Sequence, residues 1–293
     1  MTGFISGSAT ALVTPFNKAG VDFDELGKLI EFQIENGTSA LVILGTTGEP
    51  ATLSDEEKTE IIRYAIDKVK GRVKVLIGTG SNDTYKAVTA SKRAQDFGAD
   101  GVLCVTPYYN KCTQRGLVEY YKAICSSVTL PVIAYNVPSR TAVNIEPATV
   151  EKLAQIPNMA GIKEASGNIV QVAEVIHAVK GKCDVFSGED AVNLPVLALG
   201  GAGVISVVSN IAPSLVGKMC EYALANDIRA AAIIHEKLLP LTAACFTEVN
   251  PIPVKAALNL MGFKVGAPRS PLTEAENPTK EILKKAMLDV GIL

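Results

Sequence analysis

The stretch ALVILGTTGEPATLSDEEKTEIIRYAIDKVKGRVKVLIGTG, residues 40–80, holds one complete unit of the fold and the start of the next. It opens with apolar residues that do not alternate with polar ones, the pattern of a strand covered on both faces. A polar GTTGE follows at residues 45–49. Ser54 and Glu57 have the spacing of a capping box, and Ile61, Ile62, Ala65, Ile66 and Val69 recur at helical spacing up to a stop at Gly71. VKVLIGTG at 73–80 then begins a second β-rich run. Strand, polar loop, helix and strand in that order make a βαβ unit.

The same unit recurs in both directions. GSATALVTPF (7–16), GVLCVTPYYN (101–110), PVIAYNVP (131–138), MAGIKEAS (159–166), CDVFSGED (183–190) and GVISVVSN (203–210) bring the β-rich runs to eight. Phe23, Leu26, Ile30 and Ile34 mark a helix stopped by Asn36-Gly37, and helical patterns also fit 82–97, 114–127, 146–155, 168–179, 190–199 and 213–225. Eight strand–helix pairs predict an α/β fold of the (β/α)8 TIM barrel type. The competing doubly wound fold lacks its marker, because no G-x-G-x-x-G joins a strand to a helix and there is no Walker loop. Beyond residue 226 the pattern is helical only. The expected division is a catalytic barrel over 1–225 and a C-terminal helical appendage over 226–293.

Composition narrows the function. The 293 residues carry a net charge of −2, which gives no support for nucleic-acid or anionic-membrane binding. Six cysteines lack CxxC spacing, and the two histidines, His177 and His235, lie in helical patterns away from them in sequence, so no metal site is expected. Such thiols suit a reduced, cytoplasmic protein in which they act as small apolar groups. The N-terminus lacks the basic start of a signal peptide. Ala191–Gly217 carries no charge, but Asn193, Pro195, Gly200, Gly201, Gly203, Asn210 and Pro213 break it up, so a buried helix and strand are expected, not a membrane span. The glycines of LGGAGVI read as a tight turn in preference to a phosphate loop.

Lys163, inside MAGIKEAS, stands out because lysine is rarely buried. One reading has it at a strand end, snorkelling to water. The other has it buried, where desolvation favours the neutral, nucleophilic amine over the ammonium. In a barrel the reactive groups gather where strands end. The ends here supply Thr46 and Thr47, Tyr108 and Tyr109, Tyr135 and Arg140, besides Lys163. Together these are an amine, phenols and hydroxyls for proton transfer, and a guanidinium for a carboxylate. That set suits Schiff-base chemistry on a keto acid.

GTTGE, TPYYN, YNVPSRT, GIKEAS, GVISV and NPIPVK, in this order over essentially the whole chain, resemble the dihydrodipicolinate synthase family of pyruvate-dependent class I aldolases. The resemblance implies condensation of pyruvate with L-aspartate 4-semialdehyde, with no cofactor. It implies an imine on Lys163, proton transfer by Tyr135, and a relay through Thr46 to Tyr109 of a neighbouring subunit. Thr47 would hold the pyruvate carboxylate and Arg140 that of the second substrate, with main-chain groups at Gly188 and Ile205 lining the pocket. It further implies a homo-oligomer, usually a tetramer built as a dimer of dimers. Arg140 distinguishes the synthases from the alternative, an N-acetylneuraminate or keto-deoxy-sugar-acid lyase; the presence of Lys163, Tyr135 and Arg140 argues against a catalytically dead relative. Where lysine-inhibited members use histidines and an acidic residue, this chain has Asp55, Lys58 and Lys86 with Pro50 close by. Lys86 would repel an ammonium, so weak or absent inhibition by lysine is expected.

Overall fold

The computed structural model describes residues 3–293. Eight strands run β1 Gly7–Ala11, β2 Ala40–Ile43, β3 Lys74–Gly78, β4 Gly101–Val105, β5 Val132–Asn136, β6 Met159–Glu164, β7 Asp184–Ser187 and β8 Gly203–Ser206. Each pairs in parallel with the next, and β8 closes on β1. The helices between them are α1 Phe23–Glu35, α2 Asp55–Val69, α3 Thr84–Asp96, α4 Gln114–Ser127, α5 Pro147–Leu153, α6 Ile169–Val179, α7 Asn193–Ala198 and α8 Pro213–Leu224. The chain is therefore the (β/α)8 barrel that its repeat predicts.

The caps that mark the helices in the sequence are made. Ser54 Oγ accepts from the Glu57 N–H while Glu57 Oε2 accepts from the Ser54 N–H, closing the box at α2. Asp22, Asp83, Thr113 and Asn168 accept in the same way at α1, α3, α4 and α6.

Alternation along the strands divides two cores. Ala9, Ala11, Ala40, Val42, Leu76, Leu103, Ile133, Phe186 and Ile205 fill the barrel interior together with Tyr135. The alternate residues, among them Leu41, Ile43, Cys104, Val132 and Ile162, pack outward with the helices. Small alanines on β1 and β2 share the interior with the bulkier side chains of β4, β5 and β7, so it is a packed core and not a pore.

Two expectations need correction. The first β run is shorter than its apolar stretch: β1 ends at Ala11, and Phe16–Asn17 instead pairs antiparallel with Gly20–Val21. The expected helix over 190–199 is a 3₁₀ turn, Asp190–Val192, followed by α7. The cause is Asp190, whose carboxylate accepts from Val207 N, Val208 N and Asn193 Nδ2 at 2.8, 3.1 and 2.9 Å and so ties the loop after β7 to the loop after β8.

At LGGAGVI the chain turns from α7 into β8. A Cβ on Gly201 would lie 2.9 Å from Val196 O, and one on Gly203 2.4 Å from Gly7 O. The glycines serve close packing at the end of the barrel opposite Lys163.

The C-terminal helices are α9 Ile228–Cys245, α10 Ile252–Leu260 and α11 Asn277–Val290. Helix α9 packs against α8 and α11. Among the described residues no helix is long and apolar enough to cross a membrane.

Candidate active site

Lys163 and Tyr135 are register partners on adjacent strands, and both point into the top of the barrel. Lys163 is 5% exposed and Tyr135 7%. The lysine Nζ lies 4.3 Å from the centroid of the Tyr135 ring. Among the described residues no carboxylate lies within ion-pair distance of Lys163, and its Nζ makes no hydrogen bond. One other lysine among the described residues is as deeply buried, Lys255, and it is fully partnered: its Nζ donates to Glu49 Oε1, Thr14 O and Ala267 O at 2.8, 3.0 and 3.1 Å. Its Nζ also lies 4.3 Å from the centroid of the Phe16 ring. One buried lysine is fully partnered, and the other lies against a phenol ring without an ion pair or hydrogen bond among the described residues.

Space for the Lys163 stem comes from Gly188. A Cβ there would lie 2.7 Å from Lys163 Cε and 2.8 Å from Cγ, so any side chain at this position would displace the lysine stem. Ile205 faces the interior on β8 and is 1% exposed. Glu189, half-buried after β7, has its carboxyl raised above the usual range by burial and by neighbouring Asp190, with Lys163 opposing.

The next residues on β5 and β6, Asn136 and Glu164, alternate outward and brace the positions of Tyr135 and Lys163. Asn136 Nδ2 donates to Glu164 Oε2 at 2.9 Å, Asn136 Oδ1 accepts from Ile145 N at 2.9 Å, and Glu164 Oε1 accepts from Ser166 N at 2.8 Å. These bonds fix the strand ends that carry Tyr135 and Lys163.

Thr46 and Thr47 stand on a single 3₁₀ turn, Thr46–Gly48, after β2. Glu49 follows in the left-handed region at φ 56°, a conformation that costs a non-glycine residue energy and is held by its surroundings. Here the holders are Lys255 and the Arg269 N–H, which donates to Glu49 Oε2 at 2.8 Å. Thr47 is buried, and its Oγ1 accepts from Asn250 Nδ2 at 3.0 Å. Arg140, on the turn Pro138–Thr141 after β5, is exposed and reaches Asn250 O from Nη2 at 3.3 Å.

Tyr109 is the exception among the expected site residues. It is 92% exposed, with φ 69°, and its hydroxyl has no partner among the described residues. The strand ends thus set Lys163, Tyr135, Thr46, Thr47 and Arg140 at one rim, with Gly188 directly after β7 and Ile205 on β8, and leave Tyr109 exposed. Sequence reasoning missed Glu49, Asn136, Glu164, Asn250 and Lys255. Lys255 carried a usable signal, a lysine set among apolar residues in NPIPVK, the same signal that marks Lys163.

Residues 4–289 match the dihydrodipicolinate synthetase family. The chain belongs to that family. It is 52% identical to 4-hydroxy-tetrahydrodipicolinate synthase of Caldicellulosiruptor bescii over 98% of this chain and 97% of that protein. A crystal structure of a dihydrodipicolinate synthase is 50% identical, with a TM-score of 0.96 over 98% of this chain and 100% of the other. The chloride-inhibited dihydrodipicolinate synthase of Acinetobacter baumannii, solved in complex with pyruvate, is 45% identical with a TM-score of 0.97, covering 99% and 100%. The chain is accordingly an enzyme, a lyase of the class I aldolase type, with the barrel of its family.

Proposed function

We propose that this enzyme condenses pyruvate with L-aspartate 4-semialdehyde through an imine on Lys163, forming 4-hydroxy-tetrahydrodipicolinate for diaminopimelate and lysine biosynthesis in the cytoplasm. The observation that carries this reading is the buried, unpaired Lys163 beside Tyr135. Lys163 makes no ion pair or hydrogen bond among the described residues, so its Nζ is open to a carbonyl carbon brought beside Tyr135.

Each step has a residue. The Lys163 amine adds to the pyruvate carbonyl, Tyr135 delivers the proton with which water leaves, and the imine forms. Loss of a methyl proton gives the enamine, whose carbon attacks the aldehyde. The amine of the second substrate then attacks the imine carbon, closing the ring and releasing Lys163. Thr47 and main-chain N–H groups of its loop hold the pyruvate carboxylate. Arg140, exposed at the mouth, takes the carboxylate of the second substrate. Main-chain groups of Gly188 and Ile205 line the pocket.

Thr46 relays protons between Tyr135 and Tyr109 of a second subunit. The exposure of Tyr109 in its own chain supports that assignment, as does its strained backbone, of the kind stored at functional sites. The working assembly is a homotetramer, a dimer of dimers. The barrel over 1–225 carries the chemistry, and the appendage over 226–293 braces it.

The enzyme is weakly inhibited by lysine or not at all. Asp55 is already engaged by Lys58 at 3.4 Å and Arg93 at 3.9 Å, and Lys86 adds a further exposed cation at the start of α3. Activity that collapses in millimolar lysine would refute this point.

Borohydride reduction in the presence of pyruvate, followed by peptide mass mapping, tests the mechanism. A stable adduct on Lys163 is expected, and an adduct elsewhere, or none, refutes it. Condensation of pyruvate with N-acetylmannosamine in place of the semialdehyde would favour the sugar-acid lyase reading.

A further inference from the structure

Asn250 lies outside the barrel, between α9 and α10, yet it touches both carboxylate-binding positions of the mouth. Its side-chain N–H donates to Thr47 Oγ1 at 3.0 Å, and its main-chain oxygen accepts from Arg140 Nη2 at 3.3 Å. The residue is 6% exposed, and its Oδ1 is buried without a partner.

A threonine hydroxyl has one proton and two lone pairs. With a lone pair of Thr47 occupied by the Asn250 N–H, the Thr47 proton is free to point elsewhere. Had the amide been turned over, Oδ1 would take that proton and the hydroxyl could not donate to an anion. The amide keeps the donor side toward Thr47 even though this leaves its own acceptor unpaired, an arrangement that costs free energy.

We infer that Asn250 is a positioning residue: its side chain sets Thr47 as the hydrogen-bond donor to the keto-acid carboxylate, while its main chain steadies Arg140. The inference rests on the proposed role of Thr47 in holding pyruvate. It gives the segment NPIPVK a place in the reaction although none of its residues lies on the barrel. Because the two contacts leave by different atoms, side-chain substitutions separate them. The contact with Thr47 is lost, and the main-chain contact with Arg140 is kept.

The test uses the full-length enzyme with Asn250→Asp, Asn250→Ala, Thr47→Val and the double variant Thr47→Val/Asn250→Asp. Pyruvate KM, semialdehyde KM, kcat and thermal midpoint are read for each. The carboxylate introduced by Asn250→Asp can only accept, so it captures the Thr47 proton. The expected result is a pyruvate KM raised about tenfold or more with the semialdehyde KM within about twofold of wild type. Asn250→Ala moves the same constant less, and it carries the test if the aspartate variant does not fold. The double variant should be no worse for pyruvate than Thr47→Val alone, since both changes remove one hydrogen bond.

An unchanged pyruvate KM in Asn250→Asp, equal rises in both KM values, or additive effects in the double variant would overturn the inference. If Thr47→Val itself leaves the pyruvate KM unchanged, it is the assignment of Thr47 that fails, a result distinct from the others.

Discussion

Replacing Lys255 by methionine should destabilise the enzyme more than any other exchange of a lysine. Methionine keeps an unbranched side chain of similar length but removes the charge. The lysine side chain is 1% exposed and that of Glu49 3%, so solvent cannot replace what is lost. The Glu49 carboxylate would keep only the Arg269 N–H, and the carbonyls of Thr14 and Ala267 would lose their shared donor. Removing one partner of a buried ion pair costs about 3–5 kcal/mol. For a chain of this size that corresponds to a fall in Tm of about 5–8 °C. The paired variant Glu49→Gln/Lys255→Met should recover about 1–3 kcal/mol relative to the sum of the singles, because no buried charge is then stranded. Urea denaturation of the four proteins closes the cycle. A Lys255→Met stability lowered by less than about 1 kcal/mol, or strict additivity, would refute the view that this pair holds Glu49 in its left-handed conformation.

Gly188→Ala places a methyl 2.7 Å from Lys163 Cε, so imine trapping with pyruvate should fall by about tenfold or more with the fold retained by circular dichroism. Tyr135→Phe should leave the pyruvate adduct trappable but slow its formation by about 10²–10⁴-fold, the usual worth of a positioned proton carrier. Ser54→Ala breaks the capping box of α2 and should cost about 1 kcal/mol, read as a shift in urea midpoint without change in KM. Glu31, bonded to Arg72 and Lys68, is lowered to about 2, with the Arg72 hydrogen bond as the largest cause. A carboxylate depressed on folding lends stability above its unfolded value near 4.5, and that stability is lost as pH falls toward about 2. Glu31→Gln should therefore flatten the acid limb of stability between about pH 4.5 and 2, with little effect on the slope above it.

Much of the fold was legible because every unit announces itself locally. The apolar run of β2, the Ser54–Glu57 box and the stop at Gly71 lie within a few turns of one another. The split of the 190–199 helix was not legible, since its cause is a bond from Asp190 to the main chain at Val207 and Val208, which no local pattern encodes. The same division applies to the candidate site. Lys163, Tyr135, Thr47 and Arg140 could be read as polar residues at strand ends. Their supports could not, because Thr47 meets Asn250 and Glu49 meets Lys255 across about two hundred residues of sequence. Lys255 shows why an apolar setting alone does not mark a reactive lysine. A lysine in an apolar run signals burial, and only its partners tell an ion pair from a free amine.

The bracing of the mouth by residues 250–269 bears on the order in which the enzyme becomes competent. A growing chain possesses all eight strands once Ser206 has left the ribosome. At that stage Thr47 still lacks its donor, Arg140 its anchor, and Glu49 both the ammonium and the N–H that hold it. All eight barrel strands precede, in the chain, the groups that hold those loops. The loops above Lys163 therefore gain their last hydrogen-bond partners only from the final quarter of the chain.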